Sequence, residues 1–183
     1  MYPVLHTASR LSLRELASDD VDGVLAIYGD PETTRHLSFE PRSREQAAAL
    51  VDRSVQSAKV DPRTEYALAV TSKVSGDLIG FVRLADDPHQ QRAATVGFAL
   101  RREVWGQSLG VETVGGVLSI AFDQLGLHRV WAALSPANVV SAKVLLRCGF
   151  VDEGRIRGHV FVRGAWRDSV TYGILEEEWR AVL

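Results

Sequence analysis

Cysteine is almost absent from this chain. Cys148 stands alone among 183 residues, which excludes an intramolecular disulfide and leaves a thiolate zinc site without its ligands. A reducing compartment, the cytoplasm, is the expected setting. Long apolar runs are lacking too: no segment approaches the roughly 20 residues of a membrane-spanning helix, and MYPVLHTASR does not have the charged-then-apolar layout of an export signal. Neither charge is in excess, with 21 Lys and Arg against 23 Asp and Glu and a net charge of −2, so no global positive field draws the protein to nucleic acid or an anionic membrane. Neither a Gly-Lys-Ser/Thr phosphate loop nor a G-x-G-x-x-G fingerprint occurs, which disfavours nucleotide hydrolysis and dinucleotide binding. No repeat, low-complexity tract or Gly/Ser/Pro-rich linker divides the chain, so a single domain over residues 8–178 is expected.

What is present alternates between strand-like and helix-like segments. LSLREL from Leu11 reads as a strand, and Asp19 or Asp20 then caps a short helix running to Tyr28, broken at Asp30-Pro31. Ser43 to Gln46 has capping-box spacing and opens a helix to about Lys59. Tyr66–Val70 and Asp77–Leu84 flank a polar turn as an antiparallel hairpin, and Thr95–Leu100 forms a further strand. Val111, Val114, Leu118, Ala121, Phe122 and Leu125 recur at helical spacing up to Gly126. A strand at Arg129–Leu134 and a helix marked by Val140, Val144, Leu145 and Cys148 follow. The closing strands lie around His159–Arg163 and Ser169–Ile174, on either side of Gly164. The fold class is therefore mixed α/β.

Two stretches carry the chemistry. In GFALRREVWGQSLGVE, from Gly97 to Glu112, a strand ends, a glycine-containing loop follows and a long helix begins. The first N–H groups of a helix lack internal partners and sit at the positive end of its dipole, so such a junction can hold a pyrophosphate without lysine. Gly106 and Gly110 would admit left-handed angles and close approach to phosphates, although an ordinary strand-to-helix turn reads the same way. Gly97, inside a strand, marks a bulge, a close approach by ligand or backbone, or simple packing. The second stretch is LSPANVVS, from Leu134 to Ser141. Asn138 is there either an amide partner for an amide-bearing ligand or a helix cap, with Ser141 one turn beyond.

At these stretches the chain resembles the GNAT superfamily of N-acetyltransferases, in particular its RimJ/RimL-type ribosomal-protein branch. WGQSLGVE at Trp105–Glu112 is similar to that branch's W-G-x-G-x-G-x-E loop. NVVSAKVLLRCGFVDEG at Asn138–Gly154 resembles its N-x-x-S and G-F-x-x-E-G signature, and GAWRDSVTYGIL at Gly164–Leu175 resembles its closing hairpin. The resemblance implies a GNAT fold: a mixed, mostly antiparallel sheet with a splayed parallel pair, 95–100 and 129–134, and flanking helices. It further implies acetyl-CoA as co-substrate and no metal. The backbone of Phe98, Ala99 and Leu100 would pair with pantetheine, and the loop residues Trp105, Gly106, Gln107 and Ser108 would lead into Leu109, Gly110 and Val111 as the pyrophosphate site. Asn138 and Ser141 would contact the coenzyme arm, and Arg101 or Arg102 would meet its phosphates.

By the same likeness, the N–H of Ala99 would stabilise the oxyanion and Ser141 would protonate the leaving thiolate. Glu112, His36, Glu32 and His159 are candidates for the base, each with a structural reading beside it, while Cys148 lies on an apolar helix face and reads as packing. Ser108 stands where the family loop has glycine, so coenzyme binding is expected to be retained but weaker. The acceptor is a primary amine, on a protein N-terminus or a small molecule. Transfer of a longer acyl group such as succinyl, or non-catalytic acyl-CoA sensing, are the competing readings. A homodimer through the closing hairpin is compatible with the pattern.

Overall fold

The computed structural model describes residues 2–182. Eight strands form one sheet: β1 (Leu5–Thr7), β2 (Leu11–Glu15), β3 (Glu65–Ser72), β4 (Leu78–Asp86), β5 (Ala93–Leu100), β6 (Arg129–Leu134), β7 (Val151–Val162) and β8 (Ala165–Leu175). Their order is β1-β2-β3-β4-β5-β6-β8-β7, antiparallel throughout except for the β5–β6 pair. Six helices flank it: α1 (Val21–Tyr28), α2 (Pro31–Thr34), α3 (Arg44–Ser57), α4 (Leu109–Ser119, widening into a π-turn over Ile120–Gln124), α5 (Val139–Arg147) and α6 (Glu176–Val182).

Strand periodicity explains the two layers. In β3 the residues alternate faces, so Ala67 and Ala69 lie beneath α1 and α3 with Val24, Ile27, Val51 and Phe81. Leu68 and Val70 face the other way, toward α4 and α6 with Val114, Val117, Phe122 and Trp179. Both faces of this strand are covered, which is why it reads as a continuous apolar run rather than an alternating one. Each fully buried Leu, Val or Phe contributes about 1.5–3 kcal/mol.

The local signals act where they are written. Ser43 Oγ accepts from Gln46 N–H and the Gln46 side chain accepts from Ser43 N–H, closing the capping box of α3. Asp30 ends α1 and caps α2, its carboxylate accepting from the N–H groups of Glu32 and Thr33. Asp20 departs from expectation: its side chain makes no cap bond to α1 and instead pairs with Arg14 at 2.6 Å. In α5 the buried side is Leu145 with Cys148, whereas Val140 is 75% exposed and belongs to the solvent face. The penultimate strand starts at Val151 rather than near His159, and β1 and α6 are announced by no hydrophobic periodicity, being too short to show one.

Candidate active site

The site begins where two strands part. β5 and β6 pair only at Ala93–Arg129, Ala94–Val130 and Thr95–Trp131. Beyond these, β5 stays with β4 up to Leu100 and β6 stays with β8 up to Leu134, so their inner edges diverge. Which backbone groups face the opening follows from parity. Asp87 N–H donates to Ala93 C=O and Arg101 N–H to Ile79 C=O, both at 2.8 Å, and the register between them is unbroken. The odd-numbered residues of β5 therefore bond to β4, and the even-numbered ones turn toward β6. Phe98 and the N–H of Leu100 meet no strand there. Ala99 is on the wrong parity: its N–H is committed to β4 opposite Phe81, which corrects the expectation that it supplies the oxyanion donor. Gly97 forms no bulge and its Cβ position has nothing within 4 Å, so it neither packs nor kinks; it lies open on the gap.

The loop after β5 is shaped for an anion. Gly106 (φ 76°) and Ser108 (φ 59°) both take left-handed angles, and α4 starts at Leu109 with its first-turn N–H groups unpaired within the helix. Trp105 turns inward to donate its indole N–H to Leu100 C=O at 2.8 Å, tying the loop to the end of β5. Gly110 is not left-handed, contrary to expectation. A Cβ here would stand 3.2 Å from a Val144 methyl, a tight contact that the small residue avoids where α4 and α5 pack.

Glu112 has a role that spacing did not disclose. Arg10, in the β1–β2 turn, donates its backbone N–H (2.5 Å) and Nε (2.8 Å) to the Glu112 carboxylate and Nη1 to Gln107 C=O (2.9 Å). Burial opposes the charged form of Glu112, but the Arg10 bonds prevail and hold it below the usual carboxylate range. It is an anchor for the loop, away from the gap. Arg101 likewise lies in a separate hollow of about 360 Å³ beside Arg10 and Gln107, and Arg147 reaches the loop instead, 3.4 Å from Ser108 Oγ.

Since Ser108 keeps the glycine-like angles, its Cβ carries the strain. Ser108→Gly is expected to stabilise the fold by about 0.5–1 kcal/mol, raising the midpoint by about 1–4 °C in a chain of this size. A thermal melt checks it, and a lowered midpoint would refute it.

At the start of α5, Asn138 Oδ1 accepts from Ser141 N–H at 3.2 Å, so the residue is a cap. Its amide nitrogen has no partner among the described residues, and both Asn138 and Ser141 line a cavity of about 470 Å³ that runs through the gap. On the far side of the sheet this cavity is walled by Leu37 and Phe39 from the loop after α2, by Tyr28, and by Arg167 and Ser169 from β8. β8 can reach this far because its pairing with β6 ends at Val170, leaving 165–169 bonded to β7 alone. Arg167 Nη1 donates to His36 C=O (2.9 Å) and Leu37 C=O (3.2 Å), and Arg163 Nη2 to Thr34 C=O (3.0 Å), which pins the loop against the hairpin.

Of the four base candidates, His36 and His159 line the cavity, while Glu112 and Glu32 do not; Glu32 sits beside Arg35 at 3.8 Å. Burial, then the nearby Arg35, Arg167 and Arg163, lowers the pKa of His36, favouring the neutral imidazole. Cys148 is 4% exposed, its Sγ–H donates to Val111 C=O at 3.6 Å, and burial pushes its pKa up to about 11. Alkylation by iodoacetamide near pH 8 is expected to be at least about 100-fold slower than for a free cysteine, with activity untouched; rapid inactivation would overturn that reading. Among the described residues no group of three His, Cys, Asp or Glu could hold a metal, and no helix is long and apolar enough to cross a membrane.

Comparison with known proteins now bears on this geometry. The family model described as an acetyltransferase (GNAT) domain matches residues 10–151. An uncharacterized N-acetyltransferase of Bacillus subtilis, YoaA, is 28% identical over 177 residues, covering 96% of this chain and 98% of that protein. The L-methionine sulfoximine/L-methionine sulfone acetyltransferase of Pseudomonas aeruginosa is 30% identical over 166 residues, 86% of this chain and 90% of that one. The structure of Mycobacterium smegmatis RimJ in complex with CoA-disulfide shares the fold, with a TM-score of 0.82 at 20% identity over 97% of this chain and 90% of the other.

Proposed function

This chain belongs to the GNAT acetyltransferase family and is an acyl-CoA-dependent acetyltransferase; we propose that it moves the acetyl group of acetyl-CoA directly to a primary amine, on a protein N-terminus or a small molecule, within a ternary complex. The observation that carries this reading is the cavity itself, which lies at the splay between β5 and β6 and is lined by Asn138 and Ser141 of α5 as well as by Tyr28 and Phe39 of the opposite layer. The donor would come to the first side and the amine to the second.

The residues present suit the coenzyme. Phe98 and Leu100 offer strand-type backbone groups to which a pantetheine arm adds as an extra strand would, and the Asn138 amide nitrogen adds a donor. The N–H groups of Gln107, Leu109, Gly110 and Val111 hold the pyrophosphate, with Gly106 and Ser108 setting the loop angles. Trp105 and the Arg10–Glu112 pair act through that loop by fixing it. Bound acetyl-CoA would supply the thioester carbonyl carbon that the neutral amine attacks; the C–N bond forms as the carbonyl oxygen takes up charge, and the C–S bond breaks as the carbonyl re-forms.

Around that exchange the chain does three things. It aligns the reactants, a contribution of about 7–11 kcal/mol in the best intramolecular cases. It meets the oxyanion with an N–H on the gap side of β5, at Phe98 or Leu100. It delivers a proton to the departing thiolate from Ser141, at the N-terminal end of α5 where the helix dipole favours negative charge. An α-amino acceptor, with a pKa of about 7.7–8.0, is already partly neutral at working pH, and His36 or His159 need only relay its surplus proton through water.

Calorimetry with acetyl-CoA and an assay of amine-dependent thiol release test the proposal. Initial-rate lines are expected to intersect, as a ternary complex requires; parallel lines would replace direct transfer by an acyl-enzyme. Coenzyme binding without thiol release across a broad amine panel would favour a sensing module, and preference for succinyl-CoA would change the donor. Activity in a reducing cytoplasm is part of the same reading. So is pairing of two copies along the exposed β7 edge, which sedimentation velocity checks.

A further inference from the structure

The amine side of the cavity is lined by Arg83, Arg167, His36 and His159 and by no carboxylate. These four are not equal. Arg83 is offset by Glu65, whose carboxylate accepts from it at 2.5 Å. Arg167 has no acidic partner among the described residues: its Nη1 is spent on two backbone carbonyls, and its Nε is buried without an acceptor. Its neighbour Arg163, exposed to solvent, also ends on carbonyl groups rather than on a carboxylate. Two residues along β8, on the same face and about 7 Å away by strand geometry, Ser169 is 1% exposed, and its hydroxyl is likewise unpartnered.

A buried donor without an acceptor costs about 1–3 kcal/mol. Two of them, lining one cavity beside uncompensated positive charge, describe the complement of an anion. Neutral carbonyl acceptors would satisfy the hydrogen bonds but leave the charge, whereas one carboxylate has two oxygens and answers both. A second cation would be repelled. We infer that the acceptor is a small amine that also carries a carboxylate, of the α-amino acid type, held by Arg167 Nε and Ser169 Oγ so that its nitrogen faces the gap beside Gly97. This deepens the transferase reading and rests on it. Arg167 binds the substrate through charge and hydrogen bonds; the transfer itself proceeds as above.

The experiment compares L-α-amino acids with their primary amides, with spermidine and with short peptides, by acetyl-CoA-dependent thiol release and by thermal shift in the presence of CoA. Acids are expected to exceed their matched amides in kcat/KM by on the order of 100-fold, the effect of losing a charge-assisted contact. Ser169→Ala, which removes no protein contact, is expected to shrink that ratio at least about tenfold by lowering the rate with acids far more than with amides, and Arg167→Lys, which also gives up its bonds to His36 and Leu37 C=O, is expected to shrink it while lowering both rates unequally. Amides, spermidine or peptides used as well as acids, or variants that lower both members of a pair equally, would overturn the anion site and leave the transferase reading intact. A thermal shift specific to the acids without thiol release would keep the site and remove the transfer. Neither shift nor release would overturn both.

Discussion

Ser141→Ala is expected to lower kcat by about 10²–10³, at the lower end of what a positioned proton donor contributes, with kcat/KM falling in proportion and acetyl-CoA affinity changing little. The substitution isolates the hydroxyl. The cap bond of α5 runs from the backbone N–H of residue 141 to Asn138 Oδ1 and survives in alanine, and Ser141 Oγ has no protein partner to lose. Stability should stay within about 0.5 kcal/mol, as for surface changes that break no cap or core contact. Equal losses in kcat and kcat/KM identify an interaction made only in the transition state. A serine hydroxyl stays protonated throughout the working pH range, so the deficit should persist rather than narrow as pH rises. A pH–rate profile of both proteins reads this out; an unchanged kcat removes Ser141 from the mechanism.

Gly97→Leu is expected to separate activity from stability in opposite directions. Gly97 lies opposite Arg83 in regular register, without a left-handed φ, and its Cβ position is open. A side chain there is tolerated by the fold and relieves a strand-interior glycine, worth about 0.5–1 kcal/mol. The same side chain projects into the cavity proposed to admit the amine. Displacing a reactant by 1 Å costs about 10² in rate, so kcat/KM for any amine is expected to fall at least that far while the melting temperature holds or rises. Enzyme assay beside differential scanning calorimetry decides; full activity in Gly97→Leu would place the amine elsewhere.

Asn138 shows how far local sequence carries. Its spacing from Ser141 leaves cap and ligand contact both open, and the structure explains why neither excludes the other: one end of the amide caps the helix and the other faces the cavity. Gly106 is legible because a left-handed angle is a property of one residue and its immediate neighbours, whereas Ser108 takes the same kind of angle with no glycine to announce it. Gly110 was misread because its reason is Val144, a neighbour across two helices. Ala99 was misread because strand parity depends on which residue of β4 it meets, and the hydrophobic pattern is blind to that.

By itself, the sequence determined the family, the mixed α/β class, the strand-loop-helix junction after β5 and the helix that follows Asn138. All of these are written in residues within a turn or two of each other, where capping, periodicity and glycine angles act. Only the tertiary structure decided that Glu112 belongs to Arg10, that Phe98 and Leu100 rather than Ala99 face the gap, and that Arg167 and Ser169 line the same cavity as Asn138 and Ser141. Arg167 meets His36 across 131 positions of chain. Contacts at that range leave no trace in local pattern, because they are set by how far β8 outruns β6 and by where the loop after α2 comes to rest upon it.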